Sequence, residues 1–264
     1  MTNQEFTHIG FDLDGTLLTS EKCIKAFTRD VLTRVHKSGK HLIVLSGRHT
    51  DDTFELLQRE GVLSLFEWII TADGCHICKN GSVERYELPM LHLFDAFRMA
   101  KIAKSKEFVD YVTPCGDILL YPSSNLRTLR SLYRHIKRNR LLKSSIFRGE
   151  KVIIENGLNP EQEGAISSRY TVHGFAGGRY EIMHQSSHKY AALRKLQELG
   201  VLSLDQFLYF GDDANDKECF VNLPHVCVMG SAPQELRNYS KLDEIGNCDE
   251  DGVAKALKCI FELK

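Results

Sequence analysis

Apolar and polar positions follow two styles along this chain of 264 residues. In the first style, short all-apolar runs are separated by stretches with helical spacing. Residues 7–12, which contain His8-Ile9-Gly10-Phe11, read as a strand. Residues 22–38 carry Ile24, Phe27, Val31, Leu32 and Val35 at helical intervals. Ser38-Gly39 closes that helix, and His41-Leu42-Ile43-Val44-Leu45 is a strand of the kind buried on both faces. A second helix at 50–60 stops at Gly61, and Trp68-Ile69-Ile70-Thr71 gives a third strand. This order predicts a parallel sheet with helical crossovers.

The second style begins after Asp73-Gly74. Cys75–Cys78 and Ser82–Tyr86 flank Lys79-Asn80-Gly81, the turn signal of a hairpin. A helix at 91–106, a strand at 116–121 and a helix at 125–140 follow. Strands at 145–148, 151–155, 170–175 and 179–183, with a helix near 160–168, complete a module expected to hold an antiparallel sheet. The first style then resumes with a helix at 188–199, a strand at 206–210, a helix at 213–221, the strand His225–Val228, and helices at 232–240 and 250–262. The predicted fold class is α/β: a Rossmann-like parallel-sheet core over 1–79 and 186–264, with an inserted α+β cap domain at 80–185.

Charge and cysteine content narrow the function classes. The chain has 34 Lys and Arg against 35 Asp and Glu, a net charge of −1. That balance gives no case for a nucleic-acid or membrane-surface partner. No apolar run reaches the length of a membrane span. Met1-Thr2-Asn3-Gln4-Glu5 lacks the basic start and apolar stretch of a secretion signal, so a cytoplasmic monomer or weak homo-oligomer is expected. The eight cysteines are expected to be reduced thiols. Cys75-His76-Ile77-Cys78 has the spacing of a redox pair or half a zinc site, but no second Cys-x-x-Cys completes it, and the segment reads as strand.

Two acidic clusters stand at strand ends. Asp12-Leu13-Asp14-Gly15-Thr16 follows the first strand, and Gly211-Asp212-Asp213-Ala214-Asn215-Asp216 follows Phe207-Leu208-Tyr209-Phe210. Gathered carboxylates are costly without a cation or shared proton among them, so the two clusters read as one divalent-metal site for phosphate chemistry. Asp12 and Asp14, at alternate positions, are expected to share a face. One would stay ionised and attack phosphorus while the other gives a proton to the leaving oxygen. Gly15 permits a sharp turn with amides facing an anion. Ser46-Gly47-Arg48 ends the second strand before a helix, placing a hydroxyl and amides where a phosphoryl oxygen can be held. Lys189 opens a helix and can neutralise phosphoryl and nucleophile charge. Asp212 is the expected Mg²⁺ ligand, Asn215 the donor to a phosphate oxygen, and Asp216 the residue that holds Lys189.

These four elements, in this order, resemble those of the haloacid dehalogenase (HAD) superfamily of aspartate-nucleophile phosphotransferases. The resemblance implies Asp12 as nucleophile, Asp14 as acid and base, and Ser46, Lys189 and Asp212 with Asn215-Asp216 as the second, third and fourth motifs. It also implies that Asp12, the Asp14 main-chain carbonyl and Asp212 contact Mg²⁺, and that the Leu13 backbone approaches the phosphate, beside the Gly47 amide of the Ser46-Gly47-Arg48 turn. A cap between the second and third motifs is similar to the Cof-type sugar-phosphatase branch. Ile69-Ile70-Thr71-Ala72-Asp73-Gly74, Tyr180-Glu181-Ile182-Met183, Val226-Cys227-Val228-Met229-Gly230-Ser231-Ala232 and Asp249-Glu250-Asp251-Gly252-Val253-Ala254 resemble that branch's signatures. Asp73 stands where the branch has Asn, Ser231 replaces another Asn, and His184 and His188 bracket a stretch where Pro and Ser are more usual.

The expected activity is a Mg²⁺-dependent phosphatase for small phosphorylated metabolites, sugar phosphates first. The alternatives are a phosphomutase, a sucrose- or mannosylglycerate-phosphate phosphatase, a flavin mononucleotide or pyridoxal phosphate phosphatase, or a silent sugar-phosphate-binding regulator. Arg127, Arg130, Arg134, Lys137, Arg138 and Arg140 give the cap helix a dense positive face, which reads either as solvated surface or as attraction for an anionic substrate. His184, Gln185 and the Gly177-Gly178-Arg179 turn are candidate substrate contacts, with a plain hinge as the other reading.

Overall fold

The computed structural model describes residues 6–103, 109–121, 123–138, 147–155, 157–240 and 245–263. It divides into two compact units, Met1–Glu87 with Lys189–Lys264, and Leu88–His188. The larger unit holds strands β1 (His8–Phe11), β2 (His41–Leu45), β3 (Phe66–Thr71), β4 (His76–Lys79) and β5 (Arg85–Glu87), with helices α1 (Ala26–Lys37) and α2 (Thr50–Arg59) between the first three. The smaller holds α3 (Leu93–Ala103), β6 (Val109–Thr113), β7 (Gly116–Leu120), α4 (Asn125–Arg138), β8 (Lys151–Ile154), α5 (Pro160–Ser167), β9 (Tyr170–Phe175) and β10 (Arg179–His184). The chain then returns through α6 (Lys189–Glu198), β11 (Phe207–Gly211), α7 (Lys217–Asn222), β12 (His225–Val228), α8 (Gln234–Arg237) and α9 (Gly252–Ile260).

The larger sheet has the order β12-β11-β1-β2-β3-β4-β5. β12 through β3 are parallel, while β4 and β5 add antiparallel strands at one edge. Parallel strands carry helices on both faces, which is why β1, β2 and β11 can be apolar throughout. On one face Ile9, Phe11, Leu42, Val44, Leu208 and Phe210 pack with Val31, Leu32 and Val35 of α1, Leu56 and Leu57 of α2 and Leu257 of α9. The alternate residues Ile43, Leu45, Trp68 and Tyr209 are buried as well.

Several expectations shift. The 75–86 hairpin, which the expected boundary at 80 divides, lies wholly in the larger unit, because Trp68–Thr71 pairs with His76–Lys79 and that strand pairs with Arg85–Glu87. The division therefore falls after Glu87 and before Lys189, not at 80 and 185. α1 begins at Ala26 rather than 22, because residues 19–25 form a loop tied by Lys22 N–H to Thr19 O and Ile24 N–H to Glu60 Oε2. The segment expected as helix 213–221 is a short 3₁₀ turn followed by α7. The helix expected at 232–240 is a single turn, Gln234–Arg237.

The smaller sheet is wholly antiparallel, in the order β7-β6-β8-β10-β9. Its β6 was not foreseen from the sequence. Tyr111, Ile118, Val152 and Ile182 pack with Ala96 and Met99 of α3 and Ile166 of α5. Arg127, Arg130, Arg134 and Lys137 are exposed on α4. The Arg138 side chain, Arg140, residues 145–146 of the expected strand and residues 104–106 of the expected helix lie outside the described residues, and Phe147-Arg148 is not strand. None of the eight cysteines is paired in a disulfide. No helix among the described residues is long and apolar enough to cross a membrane.

Candidate active site

Parallel pairing brings the carboxyl ends of β11, β1, β2 and β3 together along one sheet edge, where ligands bind in open α/β sheets. Asp12, the first residue past β1, keeps its N–H on Phe210 O of β11 at 2.9 Å. Ser46, the first residue past β2, donates its N–H to Ile70 O of β3 at 2.8 Å. Asp212 follows β11 directly.

Lys189, the first residue of α6, is fully buried among these ends. Its Nζ donates to Asp12 Oδ1 at 2.5 Å and to Asp216 Oδ1 at 2.6 Å. The same Asp216 oxygen accepts from the Tyr209 hydroxyl at 2.5 Å. The other Asp216 oxygen accepts from the Asp212 and Asp213 N–H groups at 2.9 and 3.2 Å. Asp216 therefore organises the second acidic loop and anchors the lysine at once. Such burial of charge is tolerable only because every partner is in place.

Asp12, Asp212 and Asp216 each bring a carboxylate oxygen within 4.8 Å of the others. Both Asp216 oxygens are engaged by the donors just named, so Asp12 and Asp212 are the carboxylates with acceptor capacity to spare. Hard oxygen ligands in this sparse number fit Mg²⁺, which keeps several waters and substrate oxygens in its shell. The two acidic loops approach closely because residue 15 is glycine. At φ +81°, a Cβ there would stand 2.1 Å from Asp212 Oδ2. Thr16 Oγ1 adds a hydrogen bond to Asp212 Oδ1 at 3.3 Å. Leu13 is wholly buried beneath the turn.

Asp14 lies in the turn that follows β1. β1 ends at Phe11, so strand alternation no longer governs residue 14. Its carboxylate turns to Arg48, which donates through Nε to Oδ2 at 2.6 Å and through Nη2 to Oδ1 at 2.7 Å. Lys22 Nζ joins Oδ1 at 2.7 Å.

The Ser46–Arg48 turn is fixed from the third strand end. Asp73 N–H donates to Ser46 O at 3.0 Å, and Ala72 N–H to Arg48 O at 2.8 Å. Ser46 Oγ accepts from the Arg48 N–H at 3.1 Å. Ala72 and Asp73 sit at φ 48° and 53°, a left-handed pair that carries the fully buried Asp73 carboxylate into the site. A Cβ on Gly47 would lie 2.9 Å from Asp73 Oδ1, so glycine is required for this approach. Asn215 Nδ2 donates to Asp73 Oδ1 at 2.8 Å.

Burial pushes the Asp12 and Asp212 carboxyls above the usual carboxylate range; Lys189 pulls both back, while neighbouring carboxylates push further. Burial would depress the Lys189 ammonium, but Asp12, Asp216 and Asp73 outweigh it and hold the lysine charged. Burial also opposes the Asp14 carboxylate, yet the hydrogen bonds from Arg48 and Lys22 win and hold it at about 2. Protons are thus disfavoured on Asp14 and favoured on Asp12 and Asp212, the state a divalent cation would displace.

The four sequence elements come together as one cluster. Sequence reasoning missed Arg48, Lys22 and Tyr209 as members. Arg48 follows Ser46-Gly47 directly and had been read for its neighbours' hydroxyl and amides alone. Tyr209 was counted only as apolar strand. Asp73 was visible as a departure from the branch pattern, without a role.

A parallel sheet whose strand ends gather an aspartate, a buried lysine and a second aspartate loop defines a phosphoryl-transfer type of site. The chain belongs to the haloacid dehalogenase-like hydrolases, whose family pattern it matches over residues 9–257. Its likeness to proteins of the Cof-type branch spans nearly the whole chain. An "HMP-PP phosphatase" of Yersinia enterocolitica is 26% identical over 259 residues, covering 94% of this chain and 93% of its own. A haloacid dehalogenase-like hydrolase from Bacteroides thetaiotaomicron superposes with a TM-score of 0.74 at 20% identity, over 97% of this chain and 100% of its own. A sugar phosphatase of HAD subclass IIB superposes with a TM-score of 0.74 at 16% identity, over 97% and 99%. At these identities the structural likenesses speak for the fold.

Proposed function

We propose that this chain is a Mg²⁺-dependent phosphatase of small phosphorylated metabolites that works through an aspartyl-phosphate on Asp12. The observation that carries the reading is the buried Lys189, held between Asp12 and Asp216 at 2.5 and 2.6 Å beside Asp212. Lys189 draws the nucleophilic carboxylate toward its ionised form against the burial that disfavours its charge, and a bound cation would complete that shift. Asp12 attacks phosphorus, the bond to the leaving oxygen breaks, and water then cleaves the acyl-phosphate. Ser46 and the Gly47 amide receive phosphoryl oxygens, and Lys189 offsets charge on the group in transfer. Mg²⁺ held by Asp12 and Asp212 would neutralise further phosphoryl charge. Asp14 serves as acid and then base once it leaves Arg48 and Lys22.

Sugar phosphates remain the first substrate class to test, and the name of the Yersinia relatives adds HMP-PP to the panel. The test is orthophosphate release from that panel with Mg²⁺ and with EDTA. Release that requires Mg²⁺ supports the reading. Release in EDTA, or isomerised sugar phosphate without free phosphate, contradicts it.

A further inference from the structure

Arg48 and Lys22 form a cationic pair that the hydrolysis of a simple monoester does not explain. The Arg48 main chain is pinned between Ser46 Oγ and the Ala72 N–H, so its guanidinium is tethered two residues from the phosphate-binding serine. Lys22 reaches the same carboxylate from the 19–25 loop, in a left-handed conformation (φ 60°) unusual for a residue with a Cβ. That conformation is fixed by its own N–H on Thr19 O at 2.9 Å and by Arg59 Nη2 on its carbonyl at 3.2 Å. The two cations occupy both oxygens of Asp14. No leaving oxygen can take a proton from Asp14 until the guanidinium lets go.

A guanidinium fork released from a carboxylate fits a phosphate equally well, because both present paired oxygens at matching spacing. Asp52, on α2, is a further acid whose charge acts on Arg48. Asp12 acts on it in the same way, and once Asp14 turns away the Nε and Nη2 donors it had engaged, with Lys22 Nζ, face a substrate anion. We propose that Arg48, with Lys22, selects substrates carrying a second phosphate next to the scissile one, diphosphate monoesters, by exchanging Asp14 for that inner phosphate. This rests on the phosphatase reading of the same site.

The reaction then balances simply. An Asp12 carboxylate oxygen bonds to the terminal phosphorus, and the bond from that phosphorus to the bridging oxygen breaks. The bridging oxygen leaves with its electron pair on the inner phosphate, where Arg48 and Lys22 face the charge it gains. Water cleaves the aspartyl-phosphate, giving orthophosphate, a phosphate monoester and a regenerated Asp12, with the water's proton passing to solvent through Asp14.

Benzyl diphosphate and benzyl phosphate, assayed for initial orthophosphate release with Mg²⁺, test the exchange in wild type, Arg48→Met and Arg48→Lys. The wild type is expected to favour the diphosphate in kcat/KM. Arg48→Met is expected to lower the diphosphate-to-monophosphate ratio by about a hundredfold, chiefly through KM for the diphosphate, as loss of a charge-assisted fork requires. Arg48→Lys restores part of that ratio, because a point charge remains without the fork. If Arg48→Met does not fold, Lys22→Met gives the same test with an expected fall of about tenfold. A wild type without preference for the diphosphate, or a ratio unmoved by either substitution, overturns the proposal. Absence of release from benzyl diphosphate, from benzyl phosphate and from every other compound in the panel would instead overturn the phosphatase reading itself.

Discussion

Replacing Lys189 with Met keeps the length of the side chain and removes the one cation among three buried carboxylates. At 2.5 and 2.6 Å, each ion pair is worth about 6 kcal/mol of gross Coulomb attraction at an effective dielectric near 20. Desolvation of the lysine offsets much of that sum, so the net loss on breaking the network is about 3–5 kcal/mol. For a chain of this size the melting temperature should fall by roughly 10 °C. The loss depends on pH in a defined direction. Burial already raises the Asp12 carboxyl above its unfolded value, and removal of the lysine raises it further. Between the unfolded value near 4 and the raised folded value, the folded variant holds a proton that the unfolded chain releases, so stability falls as pH rises across that window. The wild type shares that fall up to its own raised value of about 8, so thermal melts in EDTA should show a deficit relative to wild type that is larger at pH 9 than at pH 6. A deficit under about 1 kcal/mol, or one equal at the two pH values, would refute the claim that Lys189 is what makes this acidic cluster tolerable.

The same electrostatics predicts that Mg²⁺ stabilises the protein more at pH 8 than at pH 5.5, since the ion must displace protons favoured on Asp12 and Asp212; equal melting shifts at both pH values would count against this donor set. Gly15→Ala places a methyl 2.1 Å from Asp212 Oδ2 at a positive φ. It should cost about 1–2 kcal/mol of backbone strain and weaken Mg²⁺ binding at least tenfold by calorimetry, whereas unchanged binding would show that the two loops need not approach so closely. Asp73→Asn keeps an oxygen for Asn215 and removes a negative charge beside the phosphate site. KM for a monophosphate should fall several-fold with little change in melting temperature, and a rise in KM would give Asp73 a different role.

The parallel core was legible because its strands are apolar on both faces and its helices carry a clean 3.6-residue stripe. His41–Leu45 and His225–Val228 matched their observed bounds for that reason. The strand Val109–Thr113 was missed: its five residues, VDYVT, alternate only weakly, and no turn signal precedes them. The second hairpin strand, Arg85–Glu87, was assigned to the wrong unit, because the pairing of His76–Lys79 with Trp68–Thr71, which carries the whole hairpin into the larger sheet, is a tertiary choice that the local turn Lys79-Asn80-Gly81 does not encode. The candidate site divides in the same way. Asp12, Lys189, Asp212 and Asp216 follow strand ends or open helices, so their meeting is implied by the topology. Asp14 follows in the turn past Phe11, where strand alternation gives no guide to its partners. Its partner Arg48 lies 34 positions away and Lys22 sits in an irregular loop, contacts without any period in sequence.

The central claim is that Asp12 carries the phosphoryl group. Rapid acid quench of the enzyme with substrate, followed by borohydride reduction, converts an aspartyl-phosphate to homoserine, which peptide mass spectrometry can place. Homoserine is expected at position 12 alone, and none in Asp12→Asn, which should fold normally and release no phosphate. Homoserine at another position, or phosphate turnover in Asp12→Asn, would contradict it.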